Sequence, residues 1–164
     1  MKVILLERVG RHGRPFKCFK IRSMVVDAER RLHEHLSANP EAAAEWASDF
    51  KLANDPRVTR FGYFIRRTSL DELPQVWNVL LGDMSFVGPR PVVAHELERY
   101  GDKQNAYLAM RPGLTGPWQV LGRNDLPYNE RVRLDCRYLE EQGLLTDLAL
   151  MVRTSRAVFG RTGR

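Results

Sequence analysis

Proline at position 74 constrains the middle of this chain more than any other residue, because it dictates where a helix there can start. Its ring removes a backbone donor and clashes with the preceding turn, so a helix can hold it only near its first turn. Ser69-Leu70-Asp71-Glu72-Leu73-Pro74 therefore predicts a helix that begins close to Leu70 or Asp71. Ser69-x-x-Glu72 also has the form of a capping box, in which serine and glutamate satisfy free amides at the helix start. Gly82-Asp83 marks the other end, with Asp83 as a turn residue or as an acid supporting the site. Val87-Gly88-Pro89-Arg90-Pro91 then forms a stiff loop carrying an arginine between two prolines. Capping accounts for Ser69 and one acid. It leaves the second acid and the Pro-Arg-Pro loop unexplained.

Adjacent carboxylates beside such a loop suit chemistry on a metal-bound diphosphate. A helix turns about 100° per residue, so Asp71 and Glu72 are not expected to point at one atom; one is free to attack while the other holds a metal. In a first helical turn both sit near unpaired N–H groups and the positive end of the helix dipole, a field that a phosphate also favours. One or two carboxylates plus substrate phosphates is the oxygen environment that Mg2+ accepts.

The remainder reads as an α+β fold, mostly α-helical, with a short N-terminal β-hairpin packed with several helices in a single domain, 1–164. Residues 3–6 and 16–22 read as strands joined by a turn at 10–13. Ala28, Leu32 and Leu36 recur every four residues and predict a helix over 27–37, and Asn39-Pro40-Glu41 starts a second that reaches Phe50. Trp77 with Val76, Val79 and Leu80 reads as a buried face, and no tryptophan is assigned as a ligand. Two helices close the chain, over 129–142 and 144–159. The second carries Leu145, Leu148, Ala149, Val152 and Phe159 as a core stripe. Its alternative use is as an amphipathic helix on a bilayer, where Arg153, Arg156, Arg161 and Arg164 suit an anionic leaflet.

A chain of 164 residues, 43% hydrophobic, can bury one core. The formal charge of +6 favours anionic partners: nucleic acid, a nucleotide diphosphate or an acidic membrane surface. No helix-turn-helix, zinc or aromatic-basic strand pattern accompanies the charge, which argues against nucleic acid. Cys18 and Cys136 are far apart and the histidines have no ligand spacing, so a reducing compartment without structural zinc is expected. No run of about 18 apolar residues and no signal-peptide core is present.

Five motifs add to this reading. They are Phe16-Lys17-Cys18-Phe19-Lys20-Ile21-Arg22-Ser23-Met24; Asp55-Pro56-Arg57-Val58-Thr59-Arg60-Phe61-Gly62; the acid pair; the Pro-Arg-Pro loop; and Arg111-Pro112-Gly113-Leu114-Thr115-Gly116 with Trp118-Gln119-Val120 and Gly122-Arg123. In this order they resemble the bacterial sugar transferase family, the monotopic polyprenyl-phosphate phosphoglycosyl transferases, over nearly the whole chain. The resemblance implies that Asp71 attacks the β-phosphorus of a UDP-sugar, displacing UMP and leaving an aspartyl phosphosugar that passes to a polyprenyl phosphate. It further implies that Glu72 holds Mg2+ and that Lys20, Arg66, Arg90 and Arg123 bind phosphate. The implied setting is the cytoplasmic face of the bacterial inner membrane, with peripheral attachment to the membrane surface and no nucleic-acid partner.

Residues 26–55 are similar to members that transfer hexose 1-phosphate, which favours UDP-galactose or UDP-glucose. Members of the family normally begin with a re-entrant apolar helix upstream of the segment Glu7-Arg8-Val9-Gly10. The opening Met1-Lys2-Val3-Ile4-Leu5-Leu6 leads us to expect that anchor to be absent. Two rival readings remain: a basic nucleic-acid-binding module, and an inactive remnant of the family that folds without turning over.

Overall fold

Alternation of side chains builds the first unit. In the computed structural model, which describes residues 2–49, 52–121 and 126–159, strand β1 (Val3–Val9) pairs antiparallel with β2 (Pro15–Ile21), in register from Val3 opposite Ile21 to Val9 opposite Pro15. Val3, Leu5 and Glu7 face out, while Ile4, Leu6 and Arg8 turn inward opposite Ile21-side residues Lys20, Cys18 and Phe16. The ladder runs three residues further than the sequence suggests on β1, because the charges of Glu7 and Arg8 fall on alternate faces and do not break the period of two. A short turn, Arg11–Gly13, reverses the chain through His12 at φ 59° and Gly13 at φ 75°.

Helices α1 (Ala28–Ala38) and α2 (Pro40–Asp49) form a hairpin close to the predicted spans; Phe50, the expected end of α2, lies outside the described residues. This pair is tied down at its root. Met24 bridges Val58, the Val25 amide donates to the Arg57 carbonyl at 2.9 Å, and the Thr59 amide donates to the Ser23 carbonyl at 3.1 Å. Thr59 then caps α3 (Arg60–Arg67) by accepting the Gly62 amide at 2.8 Å. A side chain at Gly62 would collide with the Ser23 carbonyl, so glycine permits this crossing.

The central segment departs from expectation. No capping box forms: Ser69 takes left-handed backbone angles, φ 57°, its side chain makes no capping bond, and the Glu72 amide instead bonds the Ser69 carbonyl at 3.2 Å. Asp71 and Glu72 occupy a separate single turn, Leu70–Glu72, and α4 (Gln75–Leu81) starts only after Pro74. Proline's missing donor is harmless there. The face of α4 is also only partly the expected one: Val79 packs against the core and Val76 is half-buried, but the rest differs. Gln75 and Asn78 are buried, whereas Trp77 is 59% exposed and Leu80 and Leu81 lie open beside it. The cause is the free edge of β2, whose backbone groups require a polar partner; Asn78 supplies it, accepting the Phe19 amide and donating to the Lys17 carbonyl, both at 2.9 Å.

Beyond Gly82 the chain forms β3 (Ser85–Val87), parallel to β4 (Gly113–Thr115), with Ser85 opposite Gly113 and Val87 opposite Thr115. Short helices α5 (Ala94–Leu97), α6 (Gln104–Ala109) and α7 (Pro117–Leu121) intervene or follow, then α8 (Tyr128–Glu141) and α9 (Leu144–Phe159). Among the described residues the core gathers in three clusters, around Phe16, Cys18 and Met84, around Tyr100, Tyr107 and Val132, and around Met110, Tyr138 and Leu150.

On α9 the predicted core stripe faces outward. Leu145 is 82% exposed, and Leu148, Ala149 and Val152 are exposed with it, while Leu150, 7% exposed, faces in; the Phe159 side chain lies outside the described residues. Polar pins set the rotation. The Tyr138 phenol donates to Asp147 at 2.6 Å and the Thr115 and Thr154 hydroxyls meet at 2.7 Å, which turns 147, 150 and 154 inward. Among the described residues no helix is long and apolar enough to cross a membrane.

Candidate active site

The inner face of the hairpin delivers Lys20 to the acid pair. Its Nζ lies 3.1 Å from Asp71 Oδ2 and 3.2 Å from Glu72 Oε1. Both acids therefore do meet one atom, contrary to the expectation of divergent directions: the tight turn and the longer glutamate arm let one ammonium stand between them. Exposure separates them. The Asp71 side chain is 4% exposed and that of Glu72 29%. Burial alone would raise the Glu72 carboxyl, but the Lys20 ammonium, then Arg90 and Arg66, hold it below the usual carboxylate range.

Arg66 projects from the last turn of α3, where its Nε donates to the buried Ser23 hydroxyl at 2.8 Å. Burial lowers its pKa, and Asp71 and Asp55 act in the opposite sense. Arg90 sits exposed at the tip of its loop, which is anchored by the buried Pro89, whose carbonyl accepts the Gly113 amide at 2.8 Å. The fold thus brings together Lys20, Arg66, Asp71, Glu72 and Arg90. Arg123 lies outside the described residues.

Two supporting residues escape sequence reasoning. Asn78, fully buried, also donates to Asp83 Oδ2 at 3.3 Å, so Asp83 orients the amide that fixes β2 and, one residue beyond Phe19, Lys20. Its signal is a lone amide in the apolar run Val76-Trp77-Asn78-Val79-Leu80. Ser23 is the other, and a serine at the end of a basic strand carries no comparable signal. Cys18, buried behind Lys20, has its thiol pushed up by burial and stays a small apolar filler. Trp118 is 6% exposed with the Arg131 guanidinium over its ring, and Trp46 lies beneath Arg57, so neither presents a free stacking face.

Among the described residues no three histidine, cysteine or acidic side chains cluster as ligands. Glu72 Oε1 is taken by Lys20, while Oε2 bonds no described residue and belongs to a partly open carboxylate held ionised by its neighbours. One hard oxygen of this kind fits a Mg2+ ion that takes its remaining ligands from phosphates and water. A sealed carboxylate beside an ammonium, ringed by guanidinium groups, suits attack on a polyanionic phosphorus centre and excludes water from it.

Comparison with known proteins identifies the family. The family model for bacterial sugar transferase matches residues 3–161. The chain is 55% identical over 157 residues to a UDP-galactose-lipid carrier transferase of Erwinia amylovora, covering 96% of this chain and 33% of that protein. It is equally similar, 55% over 157 residues with the same coverage, to an undecaprenyl-phosphate galactose phosphotransferase of Salmonella typhimurium. An exopolysaccharide production protein, ExoY, of Sinorhizobium fredii is 49% identical over 151 residues, 92% of this chain and 67% of that one. The chain spans about a third of the length of the first two relatives.

Proposed function

The chain belongs to the bacterial sugar transferase family, and from that premise we propose that it moves a hexose 1-phosphate from a UDP-hexose to a polyprenyl phosphate through an aspartyl phosphosugar. The observation that carries the reading is the Lys20 ammonium bridging a buried Asp71 and a half-open Glu72.

Asp71 attacks the β-phosphorus of the donor; the bond from that phosphorus to the bridging oxygen breaks and UMP departs with the electron pair. The acyl phosphate left on Asp71 is then attacked by a phosphate oxygen of the lipid acceptor, which releases the carboxylate. Lys20 holds the carboxylate in place and offsets negative charge as the two anions approach. Arg66 and Arg90 grip phosphate oxygens in planar, two-point contacts. Glu72 would hold Mg2+, which when bound neutralises diphosphate charge. The burial of Asp71 supports the scheme in another way, since an acyl phosphate survives only where water is scarce.

The relatives' names mention UDP-galactose and undecaprenyl phosphate, which favours a galactose donor here. We further place this chain at the cytoplasmic face of the inner membrane as a peripheral protein. The open faces of α3 and α4 support that placement: Phe61 and Phe64, then Leu73, Trp77 and Leu80, stand exposed beside Arg60 and Arg67. Incubation with UDP-galactose or UDP-glucose, Mg2+ and detergent-dispersed polyprenyl phosphate should release UMP, and rapid mass spectrometry should locate a phosphohexose on Asp71. An adduct on another residue would refute the mechanism. Tight, steeply salt-dependent binding of duplex DNA without UMP release would favour the nucleic-acid reading instead.

A further inference from the structure

Arg8, an arginine on the inside of a hairpin, makes no ion pair with a described residue. Strand alternation turns it inward beside Ile4 and Leu6 and opposite Phe16. Its side chain makes one hydrogen bond among the described residues, Nη1 to the Glu7 carbonyl at 2.7 Å, and no ion pair. A half-buried guanidinium normally meets a carboxylate or several carbonyls. This one lies within the field of another cation, Arg90.

A three-way clamp causes the encounter. The Val9 amide donates to the Val92 carbonyl at 2.9 Å, and the Tyr107 phenol donates to the Val9 carbonyl at 2.8 Å while accepting the Val92 amide at 3.2 Å. Arg8 precedes Val9 by one residue and Arg90 precedes Val92 by two, so the clamp holds their two segments side by side. Burial lowers the Arg8 pKa and the Arg90 charge lowers it further, with Cys18 and Glu96 opposing. Arg90 itself makes no hydrogen bond or ion pair with a described residue. Neither guanidinium makes an ion pair with a described residue, so two neighbouring like charges raise the free energy of the empty site, and a phosphate between them would lower it.

We propose that Arg8 and Arg90 form a phosphate subsite beside the Lys20, Asp71 and Glu72 centre, with Arg8 a substrate-binding residue. The ligand chemistry is a phosphate dianion, supplied either by the donor's diphosphate or by the acceptor's phosphate. The identity of those substrates rests on the functional reading above, whereas the clamp does not.

The test uses inorganic pyrophosphate as probe, then the two half-reactions. Removing one of two repelling cations in Arg8→Met should raise the melting temperature of the ligand-free chain, the opposite of what loss of a structural arginine does. It should also cut the pyrophosphate-induced stabilisation of the wild type by half or more, with Arg8→Lys intermediate in both. With UDP-galactose, a roughly ten- to hundredfold fall in single-turnover UMP release assigns Arg8 to the donor diphosphate. The same fall confined to lipid-product formation assigns it to the acceptor phosphate. A lower melting temperature with an unchanged pyrophosphate shift in Arg8→Met, or a wild type that pyrophosphate does not stabilise, overturns the subsite. If the wild type releases no UMP from any UDP-hexose, the transfer reading fails, and the pyrophosphate shifts still decide Arg8.

Discussion

Among the described residues two carboxylates are sealed inside the fold, and their surroundings are opposite in kind. Asp71 lies against an ammonium, Lys20 at 3.1 Å, with guanidinium groups beyond it. Asp135, on α8, is fully buried among tyrosines; the Tyr100 phenol donates to its Oδ2 at 2.8 Å, and its Oδ1 bonds no described residue. Burial raises the Asp135 pKa to about 7, and the Tyr100 bond only partly offsets it. Burial by itself does not make a carboxylate reactive. Neighbouring cations turn one acid toward anionic substrates, while the phenol and apolar walls make the other a structural group that prefers its proton.

The comparison predicts its largest contrast between two isosteric changes. Asp71→Asn should lower UMP release by about 10^3-fold or more, because an amide forms no acyl phosphate, whereas Asp135→Asn should leave turnover nearly unchanged. Comparable losses in both would break the distinction. Next, Lys20→Met should cost on the order of 10^2-fold in turnover and also destabilise the chain, since it strands Asp71 without a counter-charge. Tyr100→Phe, its counterpart, should cost about 1–3 kcal/mol in stability with no fall in turnover.

The third effect is one of pH. A native pKa near 7 exceeds the ordinary carboxylate value, so Asp135 binds more protons in the folded than in the unfolded chain between about pH 4 and 7. Its contribution to stability is therefore complete below pH 4 and is lost as pH rises through 7. Asp135→Asn should raise the unfolding free energy at pH 8 by up to about 4 kcal/mol and flatten the dependence seen in the wild type. An unaltered slope between pH 5 and 8 would show that Asp135 ionises freely. Smaller again, Arg66→Lys or Arg90→Lys should lower turnover roughly tenfold despite the retained charge, because an ammonium lacks the planar fork. The smallest effect tests the rotation of α9: Leu145→Ser should change stability by less than ~0.5 kcal/mol, against about 2–5 kcal/mol for Leu150→Ala.

Where backbone pattern alone decides, the sequence was a sufficient guide. The hairpin follows from alternation and α2 starts at Pro40 after Asn39, while the motif residues Lys20, Arg66, Asp71, Glu72 and Arg90 lie near one another in the fold. Helix rotation was not legible. On α4 and α9 the leucines recur at helical spacing, yet the inward face is chosen by polar partners distant in sequence: the β2 edge for Asn78, Tyr138 for Asp147 and Thr115 for Thr154. The left-handed Ser69 was equally hidden, because serine gives no local warning of positive φ. The pairing of β3 with β4 joins three-residue strands that no periodicity can announce.

The outward turn of Trp77 on α4 has an optical consequence. The three tryptophans occupy three settings: Trp118 is packed in the core, Trp46 is stacked under Arg57, and Trp77 points outward. Emission from this chain is therefore a sum of one shielded fluorophore, one beside a cation and one bathed by solvent. Replacing Trp46 and Trp118 by phenylalanine would leave a single indole four residues past Leu73 on the open side of α4. That indole is a built-in spectroscopic gauge: its wavelength maximum would shift to the blue whenever something apolar covers the helix next to the acid pair, and quenching by dissolved iodide would report how completely the cover excludes water.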